Sequence, residues 1–206
     1  MISERIIFLG AGGHARVLLS ALSEQMPEGY VAPSADGELA LRYLGTDESL
    51  SEINPDQVVL VNGLGSLGPN SRRVHLYKEL SKSGFTFKSV VHRNAYLPSD
   101  VELGYGVQIM TGVTVQPGCS ISEDVIINTG AQIDHDCHIG PHCHIAPGCI
   151  LCGEVTLGAD SHIGAGATIL QGVTVGAGVL VGAGALVTKD IRNNALVKGI
   201  PAREGN

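Results

Sequence analysis

Five of the eight histidines fall within residues 135–162, at His135, His138, His142, His144 and His162. One of them has neighbours suited to chemistry. His135 sits in Asp134-His135-Asp136, and an adjacent carboxylate holds an imidazole in one tautomer and favours its protonated form. Such a histidine suits the role of general base, taking a proton from an amine or hydroxyl as that group attacks an acyl carbon. Asp136 is the partner that would stabilise the imidazolium. Negative charge developing on the attacked carbonyl oxygen needs a hydrogen-bond donor, for which the side chain of Asn128 and a backbone N–H are both open.

The element that must hold these residues is a repeat. From Val91 to Arg192 the chain divides into seventeen consecutive hexads without an insertion, and every first position is aliphatic. The fifth position is small or β-branched, as at Ala131, Cys137, Val155 and Ala167. Strand alternation turns positions five and one to the same side, into a narrow core, and leaves positions six and two outside. Position four is Gly, Asp or Asn in fifteen of the seventeen hexads, and these residues accept positive φ at a tight corner. Three such sides close a triangular coil of 18 residues. Coils stacked at the roughly 4.8 Å strand spacing satisfy one another's backbone groups, which predicts a parallel β-helix.

The scheme separates the histidines. His135 and His142 lie at corners, while His138, His144 and His162 take the outward sixth position, the last two on adjacent coils of one face. Cys119, Cys137, Cys143 and Cys149 occupy position five as small buried residues. Cys152 has no evident role.

Residues 1–90 form a different domain. Arg5–Leu9 is a short apolar strand, Gly10-Ala11-Gly12-Gly13-His14-Ala15 a glycine turn, and Val17, Leu18, Leu19 and Leu22 mark a helix. The turn has the GxGxxA form that brings backbone N–H groups at a helix N-terminus close to phosphate, although such glycines also serve close packing alone. Gln57–Val61 reads as a buried strand, Ser71–Ser83 as a helix and Phe85–Val90 as a connecting strand. About 90 residues are too few for a complete dinucleotide domain. Half a dinucleotide, such as the nucleotide of a nucleotide sugar, fits better than a nicotinamide cofactor.

A net charge of -7 disfavours a nucleic-acid or anionic-membrane partner, since either needs a basic field. No apolar run approaches the roughly 20 residues of a membrane span, and Met1–Arg5 lacks the form of a signal peptide, so a cytoplasmic location is expected. Five cysteines, an odd number, suggest neither a disulfide framework nor a zinc site.

The combination of Gly10–His14, Leu44-Gly45-Thr46-Asp47, Ile127-Asn128-Thr129-Gly130, Asp134–Cys137, His144-Ile145-Ala146-Pro147-Gly148 and Gly199-Ile200-Pro201-Ala202 resembles the sialic acid O-acetyltransferase family of hexapeptide-repeat acyltransferases. Its members include UDP-N-acetylbacillosamine and perosamine N-acetyltransferases. The resemblance covers nearly the whole chain. It implies a Rossmann-like α/β domain over 1–90 that binds a nucleotide sugar, and a left-handed β-helix acyltransferase domain with a C-terminal tail over 91–206. It further implies a homotrimer with active sites between subunits and acetyl-CoA as co-substrate, without a metal. His135 and Asp136 then fall on the catalytic base and its partner, and His144, Ala165 and Ala183 on the acetyl-CoA site. Gly12, Gly13, His14 and Gly63 fall on the nucleotide-sugar site, together with Asn128. Lys189, Arg192, Lys198 and Arg203 form a local basic excess suited to CoA phosphates.

The chain departs from the family pattern twice. No acidic pair follows the second strand, where Gly29–Asp36 runs instead, and the turn after the third strand reads Asn62-Gly63-Leu64-Gly65-Ser66-Leu67. The expected activity is N-acetylation of a nucleotide-linked amino sugar in glycan biosynthesis, with O-acetylation of a sugar such as a sialic acid as the alternative. A zinc-dependent lyase like the γ-type carbonic anhydrases, and a non-catalytic β-helix, are more distant readings.

Overall fold

The computed structural model describes all residues except 1–4, 23, 24, 38, 67, 69, 70 and 206, so the opening Met1–Glu4 and Leu67 lie outside it. Five parallel strands form the sheet of the first domain, β1 (Arg5–Leu9), β2 (Gly29–Val31), β3 (Tyr43–Gly45), β4 (Val58–Asn62) and β5 (Thr86–Phe87), in the order β3-β2-β1-β4-β5. β1 and β4 are buried almost throughout and pair along their full length, as central strands of a covered parallel sheet do. Helices α1 (Gly13–Ala21) and α2 (Arg72–Lys82) pack on the sheet. The glycine turn is shorter than the sequence suggests, because Gly13–Ala15 are already helical. The connecting strand expected at Phe85–Val90 is divided, its first half completing this sheet and Val90–Val91 opening the next structure.

From Val90 the chain winds as a left-handed parallel β-helix with three faces. Face I carries Gln108–Ile109, Ile126–Ile127, His144–Ile145, His162–Ile163 and Leu180–Val181, in steps of one coil. Face II carries Thr114–Val115, Gln132–Ile133, Ile150–Leu151, Thr168–Ile169 and Leu186–Val187. Face III carries Glu102–Leu103, Ser120–Ile121, His138–Ile139, Thr156–Leu157 and Thr174–Val175. From Ala95 onward first and fifth positions fill the core, where the four cysteines at position five are free thiols, whereas Val91, expected to open the inward series, is exposed at the end of the prism. The Sγ–H of Cys119 and of Cys137 donates to the carbonyl oxygens of Asp134 and Cys152. Between Gly106 and Gly184 every fourth position has positive φ, including His142 at 61° and Glu154 at 63°.

Regularity ends before the seventeenth hexad closes. Val187 still pairs with Ile169, but the next inward residue is Ile191, which bridges Val175 after 16 residues instead of 18. The side chain of Asp190 turns back to accept from the Thr174 N–H. Leu196–Lys198 then joins face I, and Arg203–Glu204 pairs with it in antiparallel fashion.

The first domain sits on face I and on the corner between faces III and I. Outward residues there are buried, contrary to simple alternation: Gln108, Met110, Ile126 and His144 all lie beneath it. Met110 joins the core formed by β1, α1 and β4. A polar cluster accompanies this packing. Arg73 of α2, its side chain only 2% exposed, holds fully buried Asp124 at 2.6 Å. Asp124 also accepts from His142 Nδ1 at 3.1 Å and from Asn62 Nδ2 at 3.3 Å. Arg73 further donates to the carbonyl oxygens of Asn62 and Leu64. Among the described residues, no helix is long and apolar enough to cross a membrane.

Breaking one partner of a buried pair strands the other without water. Replacing Arg73 by Ala should therefore lower stability by about 3–5 kcal/mol, measured by urea unfolding. A loss below about 1 kcal/mol, the scale of a surface pair, would show that Asp124 is satisfied without Arg73.

Candidate active site

The histidines do not converge on one point. His135 lies at the corner between faces II and III, since its coil passes from Ile133 on face II to His138 on face III. Its Nδ1 bonds Asp136 Oδ2 at 2.8 Å, and its backbone N–H donates to Asp134 Oδ1. Asp136 adopts the corner conformation with φ of 57°, so one residue both turns the chain and orients the ring. The pair is open to solvent, with side chains 47% and 61% exposed. The hydrogen bond to Asp136 raises the His135 pKa, assisted by the charges of Asp134, Asp136 and Glu154. Because Nδ1 faces Asp136, Nε2 is left as the nitrogen that accepts a proton.

A second group assembles on face I and its corner with face II. α1 begins at Gly13, with Gly12 as its N-cap and no capping side chain. A Cβ added at Gly12 or Gly13 would meet nothing within 4 Å, so neither glycine is needed for packing inside this chain. Gly63 differs, because a Cβ there would lie 2.7 Å from the Leu9 carbonyl oxygen and 2.8 Å from the Ala15 Cβ. It lets the end of β4 close on α1. Next to these residues, His14 Nε2–H donates to Gln108 Oε1 at 2.8 Å, and the amide of Gln108 is fixed by donation to the Asn62 carbonyl oxygen at 2.7 Å.

His144 belongs to this group as well. Its Nδ1–H donates to the Ser66 carbonyl oxygen at 2.9 Å, Asn128 Nδ2 donates to its Nε2 at 3.3 Å, and His162 stacks edge-on with ring centroids 4.7 Å apart. Burial lowers the pKa of both His14 and His144 to about 4, so both are neutral at pH 7. Ala165 and Ala183 continue the same corner upward, through Gly148 N to Thr129 O, Gly166 N to Pro147 O and Gly184 N to Ala165 O. Hence Gly12, Gly13, His14, Gly63, Asn128 and His144 share one side of the prism, with Ala165 and Ala183 along its edge. His135 and Asp136 occupy the vertex opposite that side.

His138 Nδ1 bonds Ser120 Oγ on face III, apart from both groups. The basic residues near the C-terminus also divide. Arg192 is held by Glu204 through two bonds, at 2.8 and 3.0 Å, while Lys189 and Arg203 line a cavity of about 380 Å³ with Thr188 and Pro201. Sequence reasoning missed Arg73, Asp124, Gln108 and Asn62. Apolar Met110 and Ile126 at outward positions were the available signal that something covers face I.

Residues 118–153 and 154–189 match the model of the bacterial transferase hexapeptide (six repeats) family. No curated protein matches significantly. Among solved structures, PerB from Caulobacter crescentus, in complex with CoA and GDP-perosamine, aligns with a TM-score of 0.91 and 32% identity over 99% of this chain and 98% of its own. The acetyltransferase domain of PglB from Neisseria gonorrhoeae FA1090 aligns at 0.91 and 31%, over 98% and 100%. The chain belongs to the hexapeptide-repeat acetyltransferase family of these two enzymes. WeeI from Acinetobacter baumannii AYE, 23% identical with a TM-score of 0.83 over 98% and 100%, shares the fold. The β-helix and Rossmann-like domain of this acyltransferase thus match the architecture that its sequence motifs implied.

The neutral histidines have a consequence for stability. His14 and His144 titrate near 4 in the folded chain and near the ordinary value of 6.5 when unfolded. Between these values the unfolded state binds more protons, so stability falls as pH drops from about 6.5 to about 4, and above 6.5 these groups contribute no pH dependence. The thermal midpoint should decline through that window, and His144→Asn should lessen the decline. An unchanged acid slope in the variant would show that His144 is not held neutral.

Proposed function

We propose that this chain transfers the acetyl group of acetyl-CoA to the amino group of a nucleotide-linked amino sugar during glycan biosynthesis. The observation that carries this reading is the likeness to PerB, a protein solved with CoA and GDP-perosamine, which extends over both domains instead of the β-helix alone. Division at residue 90 would assign the nucleotide sugar to the first domain and acetyl transfer to the second. The N-terminus of α1, with the open space at Gly12 and Gly13, suits the nucleotide phosphates. His14, Gly63 and Asn128 would border the sugar, His144 would contact acetyl-CoA, and the backbone around Ala165 and Ala183 would line the channel for its pantetheine arm.

In the reaction the sugar amine attacks the thioester carbonyl while His135 Nε2 takes its proton, and Asp136 stabilises the imidazolium. The tetrahedral adduct collapses with release of the CoA thiolate, which receives that proton. Asn128 is committed to His144 and to the Thr129 N–H, which favours a backbone N–H as donor to the oxyanion.

The base and the sugar-binding side lie on opposite sides of one prism, so a complete site needs His135 from one chain and face I from its neighbour. A homotrimer with sites between subunits meets that need. Incubation with acetyl-CoA and a panel of GDP-, UDP- and CMP-sugars, followed by CoA release, should show turnover of amino sugars, reduced about 10²–10⁴-fold in His135→Ala. Turnover of hydroxyl acceptors only would replace N- by O-acetylation.

Co-expression tests the shared site. A His135→Ala chain and a Gly13→Trp chain, each inactive alone, should regain activity in mixed trimers, where some sites receive an intact base and an intact face I. Sites confined to single chains would stay inactive in every mixture.

A further inference from the structure

Gly153 stands at position three of its hexad, where each of the other sixteen hexads carries a side chain, four of them alanine at 159, 165, 177 and 183. It is also absent from the residues with positive φ, a conformation taken instead by Glu154. The coil therefore has no backbone reason for glycine here. Its reason lies one coil below. A Cβ at Gly153 would stand 2.6 Å from both Cε1 and Nε2 of His135, and 3.2 Å from Cδ2. The imidazole lies flat against bare backbone. Gly118, under the other half of the pair, differs in kind: a Cβ there would collide with Asp136 Oδ1, but its φ of 76° already calls for glycine.

We propose that Gly153 is a positioning residue for the catalytic base: its missing side chain is the seat that lets the His135 ring turn Nδ1 to Asp136 and leave Nε2 free. This rests on the reading of His135 as base. The seat costs the fold nothing, because Ala159, Ala165, Ala177 and Ala183 show that the coil accepts a Cβ at this position. An alanine at 153 would meet the end of a half-exposed side chain, so the ring yields and the coil does not. Once displaced, the imidazole loses the 2.8 Å bond to Asp136 and keeps only the through-space influence of Asp134, Asp136 and Glu154.

The test is Gly153→Ala in the full chain, with three readouts. Thermal unfolding should match wild type. The His135 imidazole, followed by NMR and assigned by its disappearance in His135→Gln, should titrate at a lower pH than in wild type. With an amino sugar that wild type acetylates, kcat should fall about 10²-fold and KM for acetyl-CoA should stay within about threefold, whereas a steric clash with substrate would raise KM and leave the titration unmoved. An unchanged titration, or a variant that no longer folds, overturns the proposal. If His135→Gln abolishes turnover while Gly153→Ala remains fully active, the seat fails and the base stands. If His135→Gln keeps its turnover, the base fails, and the titration alone decides the seat.

Discussion

A coil that closes in 18 residues and stacks on its neighbour at strand separation fixes where every other group can be. Pairings such as Ser120 with His138, Ile126 with His144 and His144 with His162 hold this register along the faces. The backbone of each coil is satisfied only by the next, so an inserted residue would break a ladder as well as turn side chains around. The interior is correspondingly narrow, and its aliphatic first positions and small fifth positions leave no choice of partner. Position within the coil then becomes position in space. His135 and His144 are nine residues apart, half a coil, and so they stand on opposite sides of the prism.

This constraint was legible in the sequence because it is local and periodic. The aliphatic firsts, the glycine and aspartate corners and the stacked pair of His144 and His162 could all be counted, and from Gly106 to Gly184 the structure places them accordingly, whereas Val91 at the start is exposed and Asn94 and Asp100 turn without positive φ. The end of the repeat was less legible. Val187-Thr188-Lys189-Asp190 looks like another hexad, but Asp190 caps the Thr174 N–H and brings Ile191 inward two residues early. Asp190 has the composition of a corner residue and not its conformation. Only the bond that it makes distinguishes the two.

The cover over face I was illegible for a different reason. Asn62 and Asp124 are 62 residues apart, Arg73 and Asp124 are 51 apart, and His14 and Gln108 are 94 apart. Each reads alone as an ordinary surface or corner residue, and Asp124 in particular as one more turn-forming aspartate. Burial reverses that reading, because a charge this far from water persists only with its hydrogen bonds filled. The network has Arg73 reaching the end of β4, Gln108 joining β4 to His14, and Ser66 holding His144. It ties the first domain to face I through the same residues that border the proposed sugar site, so domain attachment and site geometry are one arrangement.

The two sides of the prism also differ in how they treat a proton, and the difference suits the proposed chemistry. On face I, burial keeps His14 and His144 neutral, and with its Nε2–H given to Gln108, His14 presents the lone pair of Nδ1. An amino sugar arriving as an ammonium ion therefore meets no opposing imidazolium there. At the solvent-exposed vertex, the hydrogen bond to Asp136 and the charges of Asp134, Asp136 and Glu154 raise the proton affinity of His135. A site that joins one chain's face I to another chain's vertex would place an uncharged receiving surface against a base that draws protons. Neither chain provides both environments on one side. Separation within the monomer permits this contrast, because carboxylates strong enough to raise His135, set beside His14 and His144, would work against the neutrality that burial imposes on them.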